Sequence, residues 1–218
     1  MAVSPHVISI VGWLRGIMAD ESLRENLDVA IEIIEESAAA LTEYEKVPIA
    51  FRVQSRFLLV PIQNGLGGLK FIEESVVPYV KDYDAYESER PSQWHRRFDI
   101  SHWGIFSAFN GVHRVGGAAA ARKTTEVEML EGREDLVCLW DLRVHPDYRS
   151  KGIGHLLFSH VVEWARLKQC RRLKVETQNI NVPACRFYAR QGCELRSINR
   201  YAYDEALDEI QLLWYQDL

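Results

Sequence analysis

The chain has 218 residues, of which 47% are hydrophobic and 26% charged, so it can bury the core of one large domain or of one domain with an extension. Its formal net charge of −5 argues against a general nucleic-acid-binding protein, because contacts to phosphates need a basic surface. The same charge weakly favours a cationic small-molecule partner. No apolar run reaches the length of about 18 residues that predicts a membrane-spanning helix.

An apolar stretch at residues 7–11 has neither a basic region before it nor a small-residue cleavage site after it, so we expect a cytoplasmic protein. The cysteines show neither C-x-x-C pairing nor zinc-ligand spacing, which indicates reduced and mostly buried thiols. The histidines form no metal-ligand spacing on one predicted element, and we expect no metal. The four cysteines are Cys138, Cys170, Cys185 and Cys193.

The first predicted helix begins at a capping box, in which Ser22 is followed three residues later by a glutamate. An apolar stripe with helical spacing continues to about Tyr44, and Pro48 ends it. We expect this helix to serve packing or a homodimer contact. The prediction is an N-terminal helical extension over residues 1–47 and one domain over residues 48–218.

The next segments predict a hairpin and an acidic connection. Residues 49–62 are rich in β-branched and aromatic residues and are predicted as a strand. Asn64-Gly65 is a turn signal, and residues 69–72 are predicted to return as a paired strand. Residues 73–89 are acidic and rich in tyrosine. Such a segment can bind an organic cation through charge pairing and cation–π contacts, or it can be a solvated loop or helix face.

The second half of the chain predicts a mixed sheet. Strand, helix and strand follow one another between residues 136 and 177, which implies a right-handed crossover and a parallel pair. A later helix holds Pro183 in its first turn and ends before Gly192. The predicted fold class is α/β, with a mixed (α+β) sheet whose only parallel pair flanks a glycine-rich loop. The predicted strands are residues 103–109, 114–123, 136–144, 173–177, 195–203 and 209–215.

The glycine-rich loop at residues 149–154 joins an apolar strand to an amphipathic helix and has the sequence Arg-Ser-Lys-Gly-Ile-Gly. Glycine allows backbone to approach a ligand closely, and the first amides of a helix have no partner within the helix. Together with the helix dipole and two basic side chains, these amides predict an anion site. The loop alone could bind almost any phosphate, and we interpret it as a pyrophosphate site.

Two further motifs stand at fixed offsets from this loop. Asn181, Ala184, Tyr188 and Gly192 follow the pattern N-x-x-A-x-x-x-Y-x-x-x-G, about one crossover after the R-x-x-G-x-G loop. This ordered set closely resembles the GNAT superfamily of acetyl-CoA-dependent N-acetyltransferases over about residues 101–215. The earlier residues match only in element order. Cys193 stands where the family usually has phenylalanine.

The resemblance is greatest to the streptothricin acetyltransferase branch. It rests on residues 176–185, with the sequence Glu-Thr-Gln-Asn-Ile-Asn-Val-Pro-Ala-Cys, and on residues 209–215, with the sequence Glu-Ile-Gln-Leu-Leu-Trp-Tyr. The fold implied is the GNAT acyl-CoA N-acyltransferase fold. Loops that form a site change faster than the fold that carries them. The superfamily therefore implies the acetyl donor more firmly than the branch implies the class of acceptor substrate.

The resemblance implies that acetyl-CoA is the co-substrate. Loop amides would bind its pyrophosphate, and the backbone of Leu142 and Val144 would pair with its pantetheine arm. A bulge near Leu142 would aim that residue's amide at the thioester carbonyl as an oxyanion hole. The predicted acetyl-CoA site comprises Leu142, Arg143, Val144, Arg149, Ser150, Lys151, Gly152, Ile153, Gly154 and Asn181.

Tyr188 is the predicted general acid, which by the resemblance protonates the departing thiolate; the alternative is a core tyrosine on an amphipathic helix. An amine with a pKa near about 10 must lose a proton before attack. Asp141, in an otherwise apolar strand, is the predicted base, and Glu176 is its rival. A structural salt bridge explains either carboxylate equally well. No cysteine occupies a nucleophile position, so direct transfer in a ternary complex is expected.

The leading hypothesis is an N-acetyltransferase acting on a primary amine of a small cationic molecule, with streptothricin-like antibiotics as the named class. One alternative is acetylation of a protein lysine or N-terminus. Another is a non-catalytic acyl-CoA-binding module with the N-terminal helix as its contact surface. The predicted acceptor-site residues are Asp82, Tyr83, Asp84, Trp103 and Glu176.

Overall fold

A mixed sheet forms the centre of the computed structural model, which describes residues 31–218. Seven strands lie side by side in the order β1-β4-β5-β6-β7-β9-β8, and β2 and β3 form a separate two-stranded sheet. The strands are β1 Ile31–Glu36, β2 Phe51–Pro61, β3 Leu69–Lys81, β4 Gly104–Asn110, β5 His113–Ala121, β6 Leu136–Val144, β7 Arg172–Gln178, β8 Glu194–Asn199 and β9 Gln211–Asp217. The α-helices are α1 Leu41–Tyr44, α2 Trp94–Arg97, α3 Ile153–Leu167 and α4 Val182–Arg190.

Both faces of the seven-stranded sheet are covered. Val137 and Leu139 point to the face that packs against α3 and α4, whereas Leu136 and Cys138 point to the face that carries α1 and α2. This explains why β6 is a continuous apolar run rather than an alternating one. The predicted bounds of β6 are confirmed, and the predicted mixed α/β architecture is confirmed with it.

Residues 31–36, predicted as part of the first helix, form strand β1 instead. β1 pairs antiparallel with β4, and Ile31 and Ile33 pack on the core while Glu32 is exposed. In so short a window the same apolar positions fit both a helical stripe and a strand, and β-branched residues favour the strand. The cap predicted at Ser22 lies outside the described residues.

Within residues 31–44 the helical prediction therefore holds only for the last turns, a 3-10 turn at Ala38–Ala40 followed by α1. Residues 31–47, which we assigned to an N-terminal extension, belong to the same unit as residues 48–218. Within residues 31–218 no helix is long and apolar enough to cross a membrane. All four cysteines are free and buried, as expected.

β5 consists almost entirely of small residues. Its last four residues are alanines with no exposed surface, and they follow a pair of glycines. A Cβ at Gly117 would lie 2.2 Å from Cε2 of Tyr44. The ring of Tyr44 therefore lies directly on the backbone of β5, which brings its hydroxyl group to the neighbouring strand β6.

Asn179 attaches the two-stranded sheet to the seven-stranded sheet. Its backbone C=O accepts from the N–H of Phe57 and its side-chain Nδ2 donates to the C=O of Phe57, both at 3.0 Å. Its backbone N–H donates to the C=O of Ile210 at 3.0 Å, and its Oδ1 accepts from the N–H of Ile210 at 2.9 Å. One buried residue thus fixes β2 against the end of β7 and the start of β9.

Candidate active site

The parallel pair opens before either strand ends. β6 and β7 are paired from Leu136 with Arg172 to Leu139 with Val175. Beyond that point β6 continues to Val144 and β7 to Gln178 without pairing to each other. The two strand ends therefore bound a gap in the sheet at its only parallel pair within residues 31–218.

A bulge on β6 marks the start of this gap. Ala119 of β5 is opposite Asp141, and the next residue, Ala120, is opposite Leu139, so Trp140 is the extra residue. Bulges of this kind re-aim the backbone and side chains that follow them. The sequence resemblance placed a bulge near Leu142, and the observed bulge lies two residues before it.

The backbone of β6 beyond the bulge faces the gap. The N–H of His145 donates to the C=O of Val115 at 2.8 Å, which fixes the hydrogen-bonded positions of the β5–β6 ladder. Because these positions alternate in an antiparallel pair, Leu142 and Val144 direct their N–H and C=O groups away from β5. The C=O of Val144 accepts from the side chain of Arg149, and the other groups remain available to a ligand strand.

The loop before α3 presents a row of free amides. The backbone N–H groups of residues 150–155 donate to no acceptor within residues 31–218. Gly152 precedes the helix with φ of +85°, a conformation that favours glycine, and this turns the chain so that the amides converge at the start of α3. A Cβ on Gly154 would meet Phe187 and Val144 only at ordinary contact distances. No contact within the described part of the chain therefore requires glycine at this position.

These features fit the acetyl-CoA predicted as co-substrate. The amides and the dipole of the fifteen-residue helix α3 favour a pyrophosphate, and the open backbone edge at Leu142 and Val144 suits an extended amide-bearing arm. The ammonium group of Lys151 lies 5.1 Å from the ring of Tyr148, at the same loop. No group of three or more metal-ligating side chains occurs within residues 31–218.

The side chain of Arg149 does not point to this anion site. Its Nε donates to the C=O of Val144 at 3.0 Å, and its Nη2 donates to the C=O groups of Ala50 at 2.8 Å and of Pro48 at 3.3 Å. Burial lowers the pKa of its guanidinium group. Arg149 therefore fastens the end of β6 to the start of β2, and the prediction that its side chain contacts the cofactor is not supported.

Tyr188 lies on α4 and is 6% exposed. Its ring packs against Phe158 and Phe187, with ring centroids 6.0 and 5.1 Å away, and its hydroxyl group has no hydrogen-bond partner within residues 31–218. Burial raises the pKa of the phenol, and the negative charge of Asp141 raises it further. The group is therefore a protonated, unengaged donor in the neutral pH range.

Asp141, the predicted base, is part of a buried ion cluster. Its Oδ1 accepts from Arg143 Nε at 2.8 Å and from Tyr44 Oη at 2.6 Å, and its Oδ2 accepts from Arg143 Nη2 at 2.7 Å. Arg143 also donates to Asp84 Oδ2 at 2.7 Å, to Asp84 Oδ1 at 3.3 Å and to the C=O of Val47 at 3.1 Å. These bonds occupy all the N–H groups of the guanidinium.

The ion cluster changes the roles assigned to three residues. Arg143, included in the predicted acetyl-CoA site, is 2% exposed and has no side-chain donor left for a cofactor. Burial would lower the pKa of Arg143, but the Asp141 carboxylate raises it above its usual value. Burial also raises the pKa of Asp84, although Arg143 opposes that change. Asp141 and Asp84 are thus partners of one arginine, which is the salt-bridge alternative for Asp141.

Glu176 has a different environment. It directly follows Val175, the last residue of β7 that pairs with β6, and therefore lies at the mouth of the gap. Its Oε1 accepts from the hydroxyl of Tyr203, and its Oε2 accepts from Gln211 Nε2 at 2.7 Å. It has no cationic partner within residues 31–218. The carboxylate is oriented but not neutralised.

Two other predicted acceptor residues, Trp103 and Asp82, and the predicted acetyl-CoA-site residue Asn181 lie apart from the gap or have structural partners. Trp103 is 8% exposed, stacks on Phe98 and donates to Thr124 Oγ1 at 2.8 Å, so it belongs to the core. Asp82 is exposed and accepts from the backbone N–H of residue 84 in a turn. Asn181 caps α4 through its Oδ1, which accepts from the backbone N–H of residue 184, rather than being free for a cofactor.

Tyr83 does reach the gap. Its ring packs on Phe51, and its hydroxyl donates to Gln178 Oε1 at the end of β7. Gln178 and Tyr203, which the sequence reasoning missed, complete this group. Gln178 could have been found, because it lies two residues after Glu176 on the same face of a strand. Tyr203 lies in an irregular segment and gave no signal.

Residues 70–193 match the acetyltransferase (GNAT) family. The chain belongs to this family. The expected acetyl-CoA-dependent acetyltransferase class and its fold are thereby confirmed, and acetyl-CoA is the co-substrate of this family.

The curated relatives include two streptothricin acetyltransferases. The Escherichia coli protein is 27% identical over 151 residues, which cover 68% of this chain and 76% of that protein. Streptothricin acetyltransferase A of Bacillus subtilis is 36% identical over 77 residues, which cover 34% of this chain and 44% of that protein. The match thus spans less than half the length of the Bacillus relative. The expected similarity to this branch is confirmed.

Solved structures give the same fold. A Bacillus anthracis protein assigned as a streptothricin acetyltransferase and solved with acetyl coenzyme A has a TM-score of 0.68 at 21% identity, covering 87% of this chain and 98% of that one. A nourseothricin acetyltransferase has a TM-score of 0.65 at 21% identity, covering 86% and 98%.

Proposed function

We propose that the protein transfers the acetyl group of acetyl-CoA to a primary amine of a small cationic molecule of the streptothricin type, by direct attack in a ternary complex. The observation that carries this proposal is the gap between β6 and β7. Free backbone amides and an open strand edge lie on one side of it. Glu176, an oriented carboxylate with no cationic partner among residues 31–218, lies at its mouth.

The donor side is formed by backbone groups. The amides of residues 150–155 bind the pyrophosphate, and Leu142 and Val144 hold the pantetheine arm as an added strand. Leu142 donates its N–H to the thioester carbonyl oxygen. This stabilises the negative charge that develops there when the amine nitrogen attacks the carbonyl carbon.

The acceptor side depends on Glu176. An ionised carboxylate offers about four lone-pair sites, and the two donors that hold Glu176 leave sites free for an ammonium group. Glu176 binds the acceptor ammonium and takes its proton, directly or through water. Asp141 is less suited to this role because the Arg143 guanidinium already pairs with its charge at both oxygens, and Tyr44 donates to one of them as well.

Tyr188 completes the transfer. As the new C–N bond forms and the C–S bond breaks, its hydroxyl gives a proton to the departing thiolate. A phenol whose pKa is raised by burial carries that proton throughout the neutral range. The free hydroxyl of Tyr188 supports this assignment over that of a purely structural core tyrosine.

An amine panel tests the proposal. Purified protein is incubated with acetyl-CoA and streptothricin, aminoglycosides, polyamines, free lysine or a lysine-containing peptide, and the acetylated product is read by mass. We expect one mono-acetylated product from a small cationic amine. Preferential acetylation of the peptide would instead favour a protein acetyltransferase. Absence of turnover combined with tight acetyl-CoA binding would favour a binding module.

A further inference from the structure

We propose that Tyr203 is a positioning residue for acceptor binding. It is the last donor in a chain of hydrogen bonds that runs from Tyr83 through Gln178 and Tyr203 to Glu176. This inference rests on the proposed function of Glu176 as the group that receives the acceptor ammonium. It assigns roles to two loops that carry none of the family motifs. One loop follows β3 and holds Tyr83, and the other joins β8 to β9 and holds Tyr203.

The donors in this chain all point the same way. The hydroxyl of Tyr83 donates to Gln178 Oε1, and Gln178 Nε2 donates to the hydroxyl oxygen of Tyr203 at 3.1 Å. Tyr203, having accepted that bond, has its single proton to give, and it donates to Glu176 Oε1. A chain of donors that ends on a carboxylate is the arrangement that an ionised Glu176 stabilises, since bonds to a charged acceptor are the stronger ones.

Burial supports the direction of the chain. It raises the pKa of Tyr83 and the pKa of Tyr203 well above the usual value for tyrosine, so both hydroxyls remain donors in the neutral range. The Glu176 charge raises the pKa of Tyr203 further, because a tyrosinate beside a carboxylate would be repelled. Gln211 holds the second oxygen of Glu176 from β9, so the carboxylate plane is fixed at two points.

The segment that holds Tyr203 is itself anchored. At its start, Arg200 Nη2 donates to the C=O of Leu59 at 3.2 Å. At its end, the buried carboxylate of Glu209 pairs with Lys81 Nζ at 2.6 Å, and Lys81 closes β3 two residues before Tyr83. The two loops are therefore joined by the ion pair of Lys81 and Glu209 as well as by the chain of hydrogen bonds.

The experiment compares Tyr203→Phe with Tyr201→Phe. Tyr201 lies in the same segment, is 83% exposed and makes no side-chain hydrogen bond within residues 31–218, so it is a matched control. Loss of one hydrogen bond to a charged group corresponds to about a tenfold weakening of the interaction or more. We expect Tyr203→Phe to raise the KM for the amine about tenfold. The KM for acetyl-CoA and the thermal unfolding midpoint should match those of Tyr201→Phe.

A second variant tests the chain. Tyr83→Phe should raise the KM for the amine by a smaller factor, and the double variant Tyr83→Phe/Tyr203→Phe should be no worse than Tyr203→Phe alone, because Tyr83 acts through Tyr203. Equal amine KM values in Tyr203→Phe and Tyr201→Phe overturn the inference. So does a parallel rise in both KM values with a lower unfolding midpoint, which indicates a structural role. Failure of the wild type to acetylate any amine refutes the proposed function instead.

Discussion

Asp141 and Arg143 lie two residues apart on β6 and form a two-point ion pair, with Arg143 Nε 2.8 Å from Asp141 Oδ1 and Arg143 Nη2 2.7 Å from Asp141 Oδ2. Alternate residues of a strand share a face, so the pair is built into the strand that also bounds the gap. Asp84, from the loop after β3, completes the cluster and ties that loop to β6.

Replacing Arg143 with methionine should destabilise the fold strongly. The substitution leaves the buried carboxylate of Asp141 and the partly buried carboxylate of Asp84 without a cation, and breaking a buried pair costs about 3–5 kcal/mol. Urea unfolding of Arg143→Met measures the change. Arg196→Met is the control, because Arg196 pairs with acidic groups on the surface, and its effect should be much smaller. Equal stability of Arg143→Met and wild type would show that the cluster is not the constraint we describe.

Replacing Glu176 or Asp141 by the corresponding amide should have different effects on activity and on stability. Glu176→Gln keeps the shape of the side chain and removes the acceptor for the ammonium proton, so kcat/KM for the amine should fall by about 10²–10⁴ with little change in stability. Asp141→Asn should lower stability, because Arg143 loses its main partner, while the folded fraction retains turnover. Steady-state kinetics and thermal unfolding of the two variants decide the matter. The reverse pattern would make Asp141 the base.

Tyr188 should impose no alkaline limb on the rate. Burial raises the pKa of its phenol above the ordinary value of about 10, so the proton-donating form persists at every pH below that value. Tyr188→Phe should lower kcat by about 10²–10⁴. The kcat of the wild type should not decline between neutral pH and about pH 10 through loss of this proton. A decline near pH 8 that disappears in Tyr188→Phe would contradict the assignment.

The two glycines of the loop before α3 should respond differently to alanine. Gly152→Ala places a Cβ residue at φ of +85° and should cost roughly 1–2 kcal/mol of stability. Gly154→Ala places its Cβ no closer than 3.4 Å to any atom within residues 31–218, so stability should be unchanged or higher. Its added methyl group should instead weaken acetyl-CoA binding, measured by calorimetry. Normal acetyl-CoA affinity in Gly154→Ala would remove this residue from the proposed donor site.

Local sequence signals predicted the elements that form the proposed donor side, but not the contacts of the proposed acceptor side. The strand β6, the loop that follows it and the first turn of α4 depend on residues close in sequence, and their patterns predicted them. The bond from Tyr203 to Glu176 and the bond from Tyr44 to Asp141 join residues 27 and 97 positions apart. No local pattern encodes such contacts, because they depend on how loops pack over the sheet.

Three errors had identifiable causes. The carboxylate of Asp141 in the apolar strand β6 correctly indicated that it has a specific partner. That partner, Arg143, was missed, although residues two positions apart on a strand point to the same face. We assigned Trp103 to the acceptor site because of the branch resemblance. Its large aromatic side chain, which stacks on Phe98, is better explained by core packing. Strand β1 was missed because its six residues are too few to distinguish the two periodicities.

The contact of Tyr44 with Gly117 has a consequence for strand alignment. The second half of β5 is a run of glycine and alanine, whose side chains differ little in size. Side-chain packing alone therefore distinguishes poorly between the correct pairing with β6 and a pairing shifted by one residue. A one-residue slip in one direction would bring the methyl group of Ala118 to the position where the ring of Tyr44 rests on the backbone of Gly117. The tyrosine thus opposes that misalignment of β5 against β6. An aromatic ring on a different element helps to fix the position of the bulge and, with it, the direction of the Leu142 amide.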